Sequence, residues 1–327
     1  MGETFRKKIM AKPQNQKVLV AVTFLFIPLV LLGLFTYLPF AKMIQFSFYD
    51  MRYIGKRTFV GLDNYISVFS REDLFNSLKL SIYYLGASIV QLGLALFFAT
   101  ILSFKTKLGG IFKGVMFFPY LVSGIAIGFI FKFFFTRGFV LDSLLVALGL
   151  TQENLPYWLR DQSVNNVMLA ATSVWRYMGQ NMVLFIGAIM SVDPDLYEAA
   201  AIDGSNAWNR FWSIILPSIK TIVALNLILS ISGSISAFEP PYVITNGTFG
   251  TGTYFVMMNS MAHEKQKVGL AASMAVVLMV LIILATLFQK LIVKIFFEED
   301  KNGMTFSERS ASKRRLANKS GLGGVSS

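Results

Sequence analysis

Long apolar stretches, separated by short connectors that are charged or rich in Gly and Pro, set the pattern of this chain. Each stretch holds more than 20 residues, which at about 1.5 Å per residue lets a helix cross a hydrocarbon layer of roughly 30 Å. Six such helices are predicted, at residues 18–41, 80–104, 114–135, 167–192, 214–238 and 268–289. An even number of spans places both termini on one side of a membrane. The pattern therefore predicts an all-α integral membrane protein.

The composition supports this prediction and excludes several other classes. Hydrophobic residues make up 54% of the 327 positions and charged residues only 15%, which excludes a disordered or collagen-like chain. The chain has no Cys, so a disulfide-stapled module and a Cys-ligated metal site are excluded as well. The first stretch is longer than the apolar core of a signal peptide and lacks an obvious cleavage site, which indicates an uncleaved anchor.

The basic residues indicate membrane orientation rather than nucleic-acid binding. The net charge is +12, but the Lys and Arg residues are spread over connectors and tails without a concentrated basic helix. Sixteen of the 30 fall on the side of the termini and ten on the opposite side, which favours cytoplasmic termini. Residues 1–17 are then a cytoplasmic segment, and residues 294–327 a cytoplasmic tail that is predicted to be disordered.

Residues 42–79 form a first connector that is too long for a simple turn and is predicted to lie outside. The run from Phe59 to Tyr65, followed by apolar Ile66, Val68 and Phe69, indicates a turn that leads into a short amphipathic helix. This segment is a packing lid over the helices, a docking surface for an external partner, or both. The remaining five spans form a core at residues 80–293.

The connector at residues 193–217, within that core, has the pattern of a helix, a turn and a second helix. Asp193 and Pro194 begin a segment of good helix formers that Gly204 ends. Ser205 or Asn206 can then cap a second segment at residues 207–215. The run Glu198-Ala199-Ala200 gives the first helix a slim face that could fit a groove on another protein.

At these residues the chain resembles permease subunits of binding-protein-dependent ABC importers. Their signature is Glu-Ala-Ala, three residues, Gly, nine residues, then Ile-x-Leu-Pro. This sequence matches it with Glu198-Ala199-Ala200, Gly204, and Ile214, Leu216 and Pro217. The six-span layout and the segment from Phe59 to Tyr65 further resemble the carbohydrate-uptake branch, in particular permeases like the larger maltose-transporter subunit. The resemblance implies the type I ABC importer permease fold in a bacterial inner or plasma membrane.

The resemblance also implies partners and a coupling site. In that family the signature forms a cytoplasmic coupling helix that binds the ATP-hydrolysing subunit, which assigns coupling to Glu198, Ala199, Ala200, Asp203 and Gly204. The partners implied are a second homologous permease, two cytoplasmic ATP-binding subunits and an external solute-binding protein. The chain lacks a phosphate-binding Gly-rich loop that ends in Gly-Lys-Ser or Gly-Lys-Thr. ATP and Mg are therefore expected on the partner subunits, with no cofactor bound by this chain.

Polar residues in spans four and five are the candidate substrate contacts. Such groups should face the interior of the helix bundle or a wet cavity, because lipid exposure is costly. Ser173, Tyr177 and Gln180 share one helix face at spacings of four and three. The full candidate set is Ser173, Arg176, Tyr177, Gln180, Asn181, Asn226, Ser230 and Ser234, with Tyr120 and Ser123 of span three as weaker members. Small and polar residues also serve helix packing, which is the alternative for Ser230 and Ser234.

Arg176 needs a partner more than the other candidates do. An unpaired cation at mid-membrane costs about 2.5 to 3.5 kcal/mol on insertion scales. An acidic sugar would supply the anion, whereas backbone carbonyls and Asn181 would supply internal hydrogen bonds. His263, the only histidine, has no second ligand in its loop, so no metal site is expected.

The sequence therefore predicts a permease subunit that imports sugars or oligosaccharides by alternating access, with ATP hydrolysed by separate subunits. It is not expected to be an enzyme, because a paired carboxylate, a metal cluster and an activated nucleophile are all lacking. The alternative is an ion-coupled secondary transporter of a polar solute. That alternative leaves the fourth connector unexplained, and the predicted spans contain no carboxylate for a proton or sodium site.

Overall fold

The computed structural model describes residues 13–104 and 107–297, and this part is mostly helical, as predicted. The helices are α1 (Pro13–Leu32), α2 (Leu38–Phe46), α3 (Asp63–Ser70), α4 (Glu72–Lys79), α5 (Ser81–Leu102), α6 (Gly109–Leu121), α7 (Gly124–Phe135), α8 (Val140–Ala147), α9 (Asn165–Met190), α10 (Pro194–Ile202), α11 (Ala207–Arg210), α12 (Leu216–Ile235), α13 (Glu239–Thr245), α14 (Tyr254–Asn259) and α15 (Val268–Phe297). Wider π-helical turns occur at Gly33–Tyr37, Phe211–Ile215 and Ser260–Glu264. Most of the predicted N-terminal segment (1–17) and of the predicted tail (294–327) lies outside the described residues.

Four of the six predicted spans correspond to long apolar helices in the structure, and one corresponds to a more polar helix. Four stretches are long and apolar enough to cross a membrane, at Val20–Phe46, Glu72–Leu102, Ala207–Thr245 and Val268–Leu291. They contain most or all of predicted spans one, two, five and six. The fourth predicted span corresponds to α9, which is 26 residues long but does not reach the same apolarity, because polar residues occupy its middle. The count of six spans therefore stays a prediction.

The third predicted span, residues 114–135, is not one straight helix. It consists of α6 and α7, which are bent by 98° at a short break. Pro119 near the end of α6 cannot donate a backbone hydrogen bond, and Val122 then takes an extended conformation with ψ near 139°. Helix α7 starts afresh at Gly124. If the pair counts as one broken span, the apolar spans number five.

The chain divides into two compact units, and the first comprises the described residues within Met1–Ser70 and Ser260–Val277. Strands β1 (Tyr49–Asp50) and β2 (Thr58–Phe59) form an antiparallel hairpin that the sequence did not predict. A short helix, α3, lies where the amphipathic helix was predicted. Its Asn64 side chain donates hydrogen bonds to the carbonyls of Ser47 and Tyr49, at 2.9 and 3.0 Å. These bonds tie the helix to the hairpin.

The second unit comprises the described residues within Arg71–Asn259 and Leu278–Ser327, and α9 is its central helix. Helix α9 packs against α5, α6 and α12. Small residues Ala95 and Ala99 on α5 are fully buried and permit a close approach. The larger core residues around them include Met182, Phe185, Ile189, Ile215 and Ile219.

A glycine allows α6 and α9 to cross at backbone distance. A Cβ atom added to Gly179 on α9 would collide with the carbonyl of Met116 and would lie 2.8 Å from the Cα of Phe117. These are backbone atoms, so a rotamer change cannot relieve the clash. Gly187, two turns further along the same helix, has no atom within 4 Å of the equivalent position.

We predict opposite effects for alanine at these two glycines. Gly179→Ala should destabilise the protein by about 1–3 kcal/mol, because a side chain is forced into a filled space. Gly187→Ala, its control, should be neutral or stabilising by up to about 1 kcal/mol, because Ala favours the helix. Thermal unfolding of the detergent-purified protein, followed by tryptophan fluorescence, measures both. Equal midpoints for the two variants would contradict the described crossing.

Candidate functional site

A cavity of about 400 Å³ in the second unit is lined by residues of α5, α9 and α12 and of the segment that leads into α13. Four predicted contacts on α9 lie on its wall, namely Ser173, Tyr177, Gln180 and Asn181. The helical spacing read from the sequence thus brings these side chains to one surface. Their role as substrate contacts stays a prediction.

Helix α12 supplies a second wall, but only part of the predicted stripe reaches it. Ser230 and Ser234 line the cavity together with Gly233. Ser234 donates its hydroxyl proton to the carbonyl of Ser230 at 2.7 Å, so toward any further partner its oxygen can act only as an acceptor. Asn226 is buried elsewhere, where its amide donates to the carbonyl of Ile222 at 2.9 Å. Asn226 is therefore not among the residues that line the cavity, and its contact with a substrate stays a prediction.

Helix α5 supplies a third wall that the sequence analysis missed. Tyr84, Ser88 and Gln91 line the cavity and are all buried. Their spacings of four and three match those of Ser173, Tyr177 and Gln180 on α9. The same periodicity within predicted span two was therefore an available signal. The hydroxyl of Tyr84 is buried without a hydrogen-bond partner among the described residues, so its hydrogen-bonding capacity is unused in this conformation.

Arg176 has an internal anion as its partner. Its guanidinium forms an ion pair with the carboxylate of Glu239 at the start of α13. The Arg176 side chain is 16% exposed and the Glu239 side chain 41%. The partners anticipated from the sequence were a solute anion, carbonyls or Asn181. Glu239 was missed because it lies one residue beyond predicted span five and 63 residues from Arg176.

This ion pair also corrects the expectation that the spans carry no carboxylate. Glu239 belongs to the continuous apolar stretch Ala207–Thr245, and it lines the cavity whereas Arg176 does not. Gly124, the first residue of α7, lies against both partners, and any side chain at this position would displace them. The 98° bend between α6 and α7 therefore brings the start of a third helix to the ion pair.

The two weaker candidates of span three lie beside the cavity rather than on its wall. The ring of Tyr120 contacts the ring of Tyr177, with centroids 6.2 Å apart. Ser123 is the residue before α7, in the break that follows α6. Neither lines the cavity, so the structure does not support direct contact with a solute there.

The fourth connector has the predicted helix, turn and helix. Asp193 caps α10 by accepting a hydrogen bond from the backbone N–H of Asp195 at 3.0 Å. Gly204 has a φ of +71°, a left-handed conformation in which glycine is favoured. Asn206, not Ser205, caps the next segment by accepting from the N–H of Asn209 at 2.8 Å.

The coupling candidates lie on the open side of this connector. Glu198, Ala199, Asp203 and Gly204 are exposed and Ala200 is half-buried. Ile202, beside them, is 87% exposed. The opposite side is anchored by Tyr197, whose hydroxyl donates to the carbonyl of Ile189 at 3.3 Å and whose ring packs edge-on against Phe104.

Metal binding has no support in the part of the chain that the structure describes. A group of three His, Asp or Glu side chains placed to hold an ion does not occur there. His263, in the first unit, instead exchanges a hydrogen bond with the hydroxyl of Tyr53 at 2.9 Å and stacks on its ring.

A match to a protein-family model shows which family the chain belongs to. The model of a family described as "Binding-protein-dependent transport system inner membrane component" matches residues 91–296, which is more than half of the chain. The chain belongs to this family. The match includes most of the cavity wall and the whole of the fourth connector. The protein is therefore a membrane component of a transport system and not an enzyme.

Curated relatives of this permease agree with that assignment. The probable ABC transporter permease protein YurN of Bacillus subtilis is 29% identical over 282 residues, 84% of this chain and 96% of the relative. The arabinooligosaccharides transport system permease protein AraP of Bacillus subtilis is 31% identical over 71% of this chain and 75% of its own length. The lactose transport system permease protein LacF of Rhizobium radiobacter is 28% identical over 67% and 74%.

A solved structure shows that the permease has the fold expected from the resemblance. A crystal structure of a bacterial ABC transporter that imports the acidic polysaccharide alginate contains a chain with a TM-score of 0.76 at 17% identity, covering 86% of this permease and 98% of that chain. A second structure of an alginate ABC transporter, in complex with its pentasaccharide-bound periplasmic protein, gives a TM-score of 0.73 at 18% identity. The permease therefore has the type I ABC importer fold, and the ion-coupled alternative has no support from its relatives.

Proposed function

We propose that this permease carries sugars or oligosaccharides across the membrane, with ATP hydrolysed by separate subunits. The observation that carries the proposal is the chemistry of the cavity wall. Hydroxyl and amide side chains at helical spacing on three helices lie beside the rings of Tyr84, Tyr177 and Phe238. Sugars need both features, because their C–H faces pack on aromatic rings while their hydroxyl groups need hydrogen-bond partners.

The relatives support the same class of solute. The names of AraP and LacF refer to arabinooligosaccharides and to lactose, and the solved structures are of alginate transporters. These solutes differ in size, linkage and charge but share a dense array of hydroxyl groups. The feature they have in common is the one that the cavity wall is built to bind.

Transport would proceed by alternating access in a larger assembly. The partners are a second homologous permease, two cytoplasmic ATP-binding subunits that hold ATP and Mg, and an external solute-binding protein. The exposed face of α10 is the docking site for an ATP-binding subunit. Small side chains at Ala199 and Ala200 permit close approach, and Glu198 offers a charge-assisted hydrogen bond to a basic residue.

The membrane arrangement follows from the helices and the charges. We place six spans in a bacterial inner or plasma membrane with both termini in the cytoplasm, counting α9 and the bent pair of α6 and α7 as one span each. Helix α9 is the span that can least be exposed to lipid, since it carries Arg176 and the polar cavity face. Its central position in the second unit supports this assignment.

The unpartnered hydroxyl of Tyr84 gives a test of the cavity as a sugar site. Tyr84→Phe removes one oxygen and keeps the ring, so the loss of one solute hydrogen bond should weaken binding by about 0.5–1.5 kcal/mol, or roughly 2-fold to 13-fold. Calorimetric titration of the assembled transporter with its sugar measures the change. Tyr83→Phe is the control, because Tyr83 is the adjacent residue and does not line the cavity. Equal affinities for both variants would count against the site.

Two substitutions in the fourth connector test coupling. Glu198→Arg combined with Gly204→Asp should abolish co-purification of the ATP-binding subunits and reduce uptake to background, while membrane insertion persists. Repulsion replaces the charge-assisted contact, and a side chain enters the tight turn. Uptake by membrane vesicles and affinity purification in detergent give the two readouts.

The second external connector offers a matched control for this pair. Glu153→Arg with Gly149→Asp makes the same charge changes at an exposed glutamate and at a glycine that also has positive φ, +97°. The ATP-binding subunits should still co-purify with this control. Unchanged uptake by the variant at Glu198 and Gly204 would rule out coupling through α10.

A further inference from the structure

The charge of the cavity wall is set by one residue. Of the described residues that line the cavity, only Glu239 carries a formal charge at neutral pH, and the others are hydroxyl, amide, aromatic or aliphatic. Arg176 lies behind it and does not reach the wall. A solute in the cavity therefore meets the carboxylate and not the guanidinium.

The guanidinium also has two contacts on its own side. It bonds the Glu239 carboxylate and lies over the Tyr177 ring, with Cζ 5.0 Å from the ring centroid. Gly124 lies against both charged groups, and a Cβ atom at this position would collide with them. A carboxylate of a solute in the cavity would meet Glu239 before Arg176, because only Glu239 lines the wall.

We infer that the Arg176–Glu239 pair makes this permease select uncharged oligosaccharides, with Glu239 as the residue that excludes acidic sugars. A solute carboxylate would face a like charge on the cavity wall, whereas a neutral sugar can donate its hydroxyl protons to the Glu239 oxygens. The inference rests on the proposed sugar transport and refines it. By this inference the chain differs in solute charge from the alginate transporters, whose solute is acidic. The chain resembles those transporters in fold.

The pair further suggests how the selectivity can be reversed. Glu239→Gln keeps the size and hydrogen bonding of the side chain but leaves the positive charge of Arg176 without its anion. A solute carboxylate could then take the place of the missing anion and neutralise the charge of Arg176. The charge swap Arg176→Glu with Glu239→Arg keeps the ion pair and brings the cation to the cavity wall, so it tests the same idea in a variant whose internal pairing is intact.

The test uses the whole transporter, with both permeases and both ATP-binding subunits, in detergent and without the solute-binding protein. Omitting that protein leaves the permeases as the source of selectivity. The probes are four neutral trisaccharides of α-glucose, β-glucose, β-galactose and β-mannose, each paired with the triuronate that carries a carboxylate at C6. Calorimetry gives the ratio of the neutral to the acidic affinity for each pair.

The wild-type transporter should prefer the neutral member of a pair by about tenfold or more. Glu239→Gln and the charge swap should each shift the ratio toward the triuronate by about tenfold, and this gain should weaken at high salt. Glu153→Gln, an exposed glutamate in the connector after α7, is the control and should leave the ratio unchanged.

A wild-type transporter that binds a triuronate as tightly as its neutral counterpart would overturn the inference. So would a ratio that neither the Glu239→Gln variant nor the charge swap alters. If an intact, monodisperse transporter binds none of the eight probes, the proposed sugar function fails and the inference falls with it. Loss of sugar binding is therefore distinguishable from loss of charge selectivity.

Discussion

The cost of leaving a polar or charged side chain in hydrocarbon decides where the chemistry of this permease lies. Helix α9 carries a cation and a face of hydroxyl and amide groups, and insertion scales assign such a cation about 2.5–3.5 kcal/mol at mid-membrane. The polar face of this helix can only be accommodated among protein neighbours, and α5, α6 and α12 pack against the helix. The polar face forms one wall of a cavity, and the cation, Arg176, forms an ion pair with Glu239.

Close approach of backbones makes this arrangement possible. Gly179 allows α6 to cross α9 beside Gln180 and Asn181, so the cavity face is held by main-chain contact rather than by adaptable side chains. At the break after Pro119, helices α6 and α7 meet at an angle of 98°, and Gly124 at the start of α7 lies against the ion pair. Both glycines lie next to residues of the cavity wall or of the ion pair, which links the rigidity of the bundle to the geometry of the site.

Local features of the site were predictable from the sequence, and long-range ones were not. The helical spacing on α9, the caps of α10 at Asp193 and of α11 at Asn206, and the turn at Gly204 follow from neighbours within a few residues. Glu239 lies 63 residues from Arg176, and no local pattern connects them. The bend in span three escaped prediction because the whole segment is apolar, and apolarity alone does not fix the direction of a chain.

The central claim is that α9 and α12 face a water-filled solute path, and cysteine accessibility tests it most directly. The chain has no Cys, so Ser173→Cys, Ser230→Cys and Val183→Cys each create its only thiol. In membrane vesicles the first two should react with a charged, water-soluble thiol reagent and be protected by the transported sugar. Val183, on α9 but off the cavity wall, should stay unreactive. Unreactive thiols at both serine positions, or protection that does not depend on sugar, would contradict the account.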